Sequence, residues 1–90
     1  MPLSLRYTSA FKRDFKRAEK QGRDTARLRV VLELLVAQTP LPEKCRDHDL
    51  GGEWKGTRDC HLAPDWLLLY RIEGGELILI RLGSHSEVFG

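Results

Sequence analysis

The hydrophobic pattern of this chain switches from a period of two to a helical period and then back. Leu3, Leu5 and Tyr7 alternate with Ser4 and Arg6, which predicts a short first strand with one buried face. Thr8 or Ser9 then offers a side-chain oxygen to cap a helix. Phe11, Phe15 and Ala18 follow at helical spacing, with Lys12, Arg13, Lys16, Arg17 and Lys20 on the outside. Gly22 accepts the left-handed conformation that stops a helix, and Asp24 restarts one. Leu28, Val31, Leu32, Leu35 and Val36 form the apolar stripe of a second amphipathic helix, which Pro40 and Pro42 end. The short break at Gly22-Arg23 predicts a helical hairpin.

Residues 41–52 read as loop, with prolines, a charge cluster and Gly51-Gly52. Strands are predicted over residues 53–62, 66–73 and 76–83, the last two joined through Gly74-Gly75. The expected architecture is α+β: an N-terminal strand, a two-helix hairpin, and a largely antiparallel three-strand sheet packed on the helices. Gly74-Gly75 as a two-residue loop pairs Glu73 with Glu76, Tyr70 with Leu79 and Leu68 with Arg81. Ala63-Pro64 as the preceding turn pairs His61 with Trp66 and Asp59 with Leu68.

Alternation then assigns Cys60, Leu62, Leu67, Leu69, Ile78, Ile80 and Leu82 to the core face. Asp59, His61, Trp66, Leu68, Tyr70, Leu79 and Arg81 fall on the opposite face. Asp65 sits at the turn beside His61, and His85 just past the last strand. The apolar members of that outer face suggest a covered partner or ligand site.

Composition bounds the picture. Ninety residues make one small domain, and no apolar stretch approaches the roughly 20 residues of a membrane helix. The N-terminal segment meets charge at Arg6 without an apolar signal core, so the expected location is cytoplasmic. Through Val30 there are nine Lys or Arg against three acids, and beyond it six against ten. That asymmetry suits an anionic partner for the first half, although on charge alone a solvated helical surface is the preferred reading. Cys45 and Cys60 are expected as free thiols. Cys45 with His48, and Cys60 with His61, raise a zinc site, but strand neighbours point to opposite faces and do not share one metal.

All three histidines, His48, His61 and His85, lie in the second half of the chain. Its motifs D-H-x-L-x-G, G-x-R-x-C-H-L-x-P-D-W-L-L-x-Y and R-L-G-S-H-S-E-V-F, together with the opening strand and Phe-Lys-Arg-Asp helix, cover nearly the whole sequence. The composite resembles the YafQ-like branch of the RelE/ParE superfamily, the toxin halves of bacterial toxin–antitoxin pairs. The resemblance implies one RelE-like toxin domain over residues 1–90, acting as a ribosome-dependent endoribonuclease on messenger RNA and neutralised by a cognate antitoxin. It also implies functional roles for His48, His61, Asp65, Arg81, His85 and Phe89.

The implied chemistry is metal-free and needs no cofactor: the 2′-hydroxyl of RNA attacks the adjacent phosphorus. Asp65 or His61 would take the hydroxyl proton and His85 would protonate the departing 5′-oxygen. Arg81 would stabilise the crowded phosphate, His48 would orient substrate or share in proton transfer, and Phe89 would stack on a base. Two rivals are a ParE-like toxin that binds DNA gyrase, whose members lack this histidine set, and a domain that only docks a protein.

Overall fold

Gly74 and Gly75, at φ +58° and +77°, close a two-residue turn and fix the register of the longest hairpin. The computed structural model describes all 90 residues. Around that turn, β4 (Trp66–Glu73) and β5 (Glu76–Gly83) pair antiparallel, and β3 (Arg58–Ala63) pairs antiparallel on the other side of β4. A two-residue strand, β2 (His48–Asp49), lies on β3, and the opening strand β1 (Ser4–Tyr7) lies parallel to β5. The result is a mixed five-stranded sheet in the order β1-β5-β4-β3-β2.

The expected three-strand sheet is thus its centre, widened at both edges. Residues 53–57 are not strand: a 3-10 turn at Gly52–Trp54 precedes β3. A second 3-10 turn, Glu43–Cys45, lies in the predicted loop.

The helices form as the stripe predicts. Thr8 caps α1 (Ser9–Lys20) by accepting the Phe11 amide at 3.0 Å, and Asp24 caps α2 (Thr25–Val36). Gly22, at φ +73°, supplies the left-handed step between them. A third helix, α3 (His85–Phe89), was not expected; Ser84 and Glu87 form a capping box at its start.

Phe11, Leu28, Val31 and Leu35 from the helices meet Cys60, Leu62, Trp66, Leu68, Tyr70, Leu77, Leu79 and Leu82 in one core. This reverses the expected faces of β4 and of the first half of β5. The turn before β4 is Pro64-Asp65, because Ala63 pairs with Trp66, and the ladder is irregular between His61 and Ala63. That one-residue slip turns Trp66, Leu68 and Tyr70 inward and Leu67 and Leu69 outward. A bulge at Ile80 then leaves Tyr70 opposite Leu79 but sets Leu69, not Leu68, opposite Arg81. The outward Leu67 and Leu69 are fully buried nonetheless, and Val88 of α3, which packs against β4 and β5, is also buried. The apolar residues expected to await a partner, Leu68, Tyr70 and Leu79, therefore lie in the core beneath the helices, and no such strip is left open on the outer face.

Beyond the end of β1, the edge of β5 would be left unpaired, and α1 closes it with side chains. The Thr8 hydroxyl donates to the carbonyl of Ile80 at 2.8 Å, the Leu82 amide donates to Asp14 at 2.9 Å, and Arg17 donates to the Leu82 carbonyl at 3.2 Å.

Candidate active site

The slip and the bulge cancel for the polar residues. Cross-strand pairing sets His48 opposite Asp59, Asp59 opposite Leu69 and Leu69 opposite Arg81, while His61 pairs with Leu67 in the next row. Asp59, His61 and Arg81 therefore share the face away from the helices, as alternation predicts, although the strand between them is inverted. Cys60 points the other way into the core, and both cysteines are buried free thiols.

Three imidazoles line up on this face. The His48 and His61 ring centres are 6.3 Å apart, and those of His61 and His85 are 5.8 Å apart. The row continues to Phe89, 6.5 Å from His85, and then to Trp54, which meets Phe89 edge-on at 5.7 Å. Phe89 is 43% exposed, leaving an aromatic face free for a planar ligand. Trp54 carried no signal in the sequence, because the 3-10 turn that lifts it into place depends on Gly52 at φ +62°.

His85 and Asp65 form the best-defined pair. The Asp65 carboxylate accepts the His85 backbone amide at 2.9 Å and the ring Nδ1–H at 2.7 Å. These two bonds hold the Asp65 carboxyl below the usual carboxylate range, the backbone bond contributing most. They also assign the His85 ring proton to Nδ1 and leave Nε2 available for proton transfer. A carboxylate so stabilised is a weak proton acceptor, which separates Asp65 from His61 as candidates for the base.

His48 is positioned from both sides. Its Nδ1 lies 2.7 Å from the carbonyl of Arg46, and its Nε2 lies 3.8 Å from Asp59. The preceding residue is clamped: Asp47 accepts the Tyr70 hydroxyl at 2.6 Å and the Arg58 Nε–H at 3.2 Å. Burial and the bond to Asp47 push the Tyr70 phenol above its ordinary value, so it remains a donor at neutral pH. Tyr70 is thus a core residue that anchors the loop bearing His48.

Asp59 lies beneath the histidines, only 4% exposed. Its Oδ1 and the neighbouring His61 Nδ1 are both buried without a hydrogen-bond partner. Burial raises its carboxyl above the ordinary range, opposed by His61, His48 and His85 in that order. Trp66, expected on this face, is instead in the core with the Arg23 guanidinium 5.5 Å above its ring.

Arg81 is tied rather than free. Its Nε and Nη2 bind Asp14 at 2.7 and 3.3 Å, and Nη2 also donates to the Glu87 carbonyl at 3.2 Å. Of the five guanidinium N–H groups, the two on Nη1 stay uncommitted. Asp59, on the same face, makes no bond to it. No group of three His, Cys, Asp or Glu has the arrangement of a metal site.

Fold and site together place the chain in the RelE-like class of small α+β proteins. The family model described as bacterial toxin of type II toxin-antitoxin system, YafQ, matches residues 3–90. The chain is 39% identical over 87 residues to the mRNA interferase toxin YafQ of Escherichia coli strain K12, covering 96% of this chain and 95% of the relative. It superposes on the crystal structure of YafQ from Escherichia coli strain BL21(DE3) with a TM-score of 0.93 at 37% identity, covering 98% and 99% of the two chains. It also matches a chain of the Escherichia coli DinJ–YafQ toxin–antitoxin complex, with a TM-score of 0.91 at 36% identity over 100% of both. This chain belongs to the YafQ family of bacterial type II toxins.

Proposed function

We propose that residues 1–90 act as one cytoplasmic toxin domain that cleaves messenger RNA on the ribosome by attack of the 2′-hydroxyl on the adjacent phosphorus. The observation that carries this reading is the row of three imidazoles, spaced 6.3 and 5.8 Å, ending in the Asp65-held His85. Two proton transfers and one charge stabiliser suffice for the reaction; the row supplies the proton transfers and Arg81 the stabiliser.

His61 takes the 2′-hydroxyl proton, because the carboxyl of Asp65 lies too low to do so well. His85, starting doubly protonated, gives its Nε2 proton to the departing 5′-oxygen and is left neutral, with Asp65 holding the Nδ1–H throughout. The uncommitted Nη1 of Arg81 contacts a phosphoryl oxygen. His48 orients the ribose and Phe89 stacks on a base beside Trp54. A cognate antitoxin holds the toxin inactive, as the complex of the Escherichia coli relative with DinJ suggests.

Replacing His85 with alanine tests the mechanism, since the side chain is 53% exposed and its loss leaves the core intact. The variant is expected to melt within about 1 kcal/mol of the parent. Cleavage of translated mRNA should fall about 100-fold or more, the usual worth of a general acid. Parental cleavage by a folded His85→Ala chain removes the ring from the reaction. Plasmid supercoiling by gyrase, run alongside, should be unaffected by the parent protein.

A further inference from the structure

A cavity of about 920 Å³ opens beside the histidine row, between α2 and the 3-10 turn at Glu43–Cys45. Val30 and Leu34 form one apolar wall and Pro42 belongs to the facing one. Three cations, Arg27, Lys44 and Arg46, line it against the single acid Asp24. His61 and His85 also line it. Arg27 is fixed in the wall by its bond to the Leu62 carbonyl at 2.9 Å.

The inference that follows rests on the endoribonuclease reading. Cutting within a strand requires a nucleotide on each side of the scissile phosphate. On one side of His85 lie Phe89 and Trp54, an aromatic platform for one base. On the other side lie His61 and the cavity. We propose that this cavity is a subsite for single-stranded RNA, holding the nucleotides that leave the reaction centre on the side away from Phe89. Lys44, Arg46 and Arg27 meet the phosphates, and the Val30, Leu34 and Pro42 surfaces meet the bases. Its volume is near the upper end of the roughly 300–1,000 Å³ of small-ligand sites, room for more than one nucleotide. With cations and apolar walls but no aromatic platform, it holds the strand through backbone charge and contact area rather than through base edges.

Lys44→Ala and Val30→Asp test the subsite, because both side chains are exposed and neither has a part in the chemistry. In a purified translation system, Lys44→Ala should raise KM about three- to tenfold with kcat changed less than about twofold, the signature of lost ground-state binding. Val30→Asp, which puts a negative charge in the cavity, should raise KM further. Thermal melts identify any variant that fails to fold. Independently, mRNA carrying 4-thiouridine next to the cleavage position should photo-crosslink the His85→Ala chain within residues 26–34 or 42–46. Parental KM in both variants, with crosslinks confined to other surfaces, overturns the proposal. So does normal cleavage combined with escape from antitoxin inhibition, which assigns the cavity to the protein partner. A parent chain that cuts no mRNA defeats the enzymatic reading itself, whereas active parent and unchanged variants defeat the subsite alone.

Discussion

Asp59 shows how one residue can be legible in position and illegible in consequence. Alternation puts it on the outer face beside His61, and it is there. What no pattern reveals is that Asp59, set between His48 of β2 and Leu69 of β4, is buried there with one oxygen unpaired. Burial raises its folded-state carboxyl above the unfolded value. At low pH both states are protonated and the site costs nothing. As pH rises past the ordinary carboxylate value near 4, only the folded state resists ionisation, and stability is lost until the raised folded value is passed. Asp59→Asn should therefore be more stable than the parent at pH 7, by on the order of 1 kcal/mol. For a chain of this size that is about 4–8 °C in Tm. The difference should shrink to nothing below about pH 4. A Tm gap independent of pH would show that the carboxylate is not strained by burial.

At the scale of elements, the helices were readable because each carries its own cap and stripe, and neither depends on distant partners. The sheet was readable only in part. Gly74-Gly75 fixed Glu73 against Glu76 and Tyr70 against Leu79, since positive φ leaves one choice of turn. Pro64-Asp65 gave no such constraint, and Ala63-Pro64 fits the same alternation with every β4 side chain inverted. The bulge at Ile80 is invisible locally because Leu77 to Leu82 is apolar at nearly every position. It makes sense only beside α1, whose Asp14 takes the Leu82 amide and the Arg81 guanidinium together. Asp14, 3% exposed, also lies 3.1 Å from Arg17, so one carboxylate closes a sheet edge and holds two arginines. Asp14→Ala leaves a partly buried guanidinium and a buried amide unpaired. Arg81 is 26% exposed and recovers some solvation, so the loss should lie near the lower end of the usual range, about 3 kcal/mol. Urea unfolding would read it directly. A loss below about 1 kcal/mol would mean that water replaces the carboxylate at that edge.

For the molecule as a whole, the first half builds a helical layer and a parallel edge strand, and the second half builds the histidine-bearing face on the far side of the sheet. The histidine set could be gathered from sequence because it sits on or just beyond the strands, whereas α3 and β2 could not. Both are short, and each is held by a residue of another part of the chain: Asp65 accepts the His85 amide of α3, and Tyr70 donates to Asp47 just before β2. This two-sided plan also separates the positive surface from the chemistry. Lys12, Arg13, Lys16 and Lys20 are exposed on α1, while Arg17 is drawn into ion pairs with Asp14 and Glu87. If the domain works on the ribosome, those four cations form a docking surface for ribosomal RNA that touches no reacting group. Lys12→Glu with Lys16→Glu should then weaken sedimentation with ribosomes by about tenfold or more at physiological salt, and flatten the salt dependence of binding. The apparent KM for mRNA on ribosomes should rise in step, with kcat at saturating toxin unchanged. Antitoxin-free melts should match the parent, because neither lysine makes a bond within the fold. Undiminished ribosome binding by the double variant would move docking to another surface and leave the basic helix as a solubilising face.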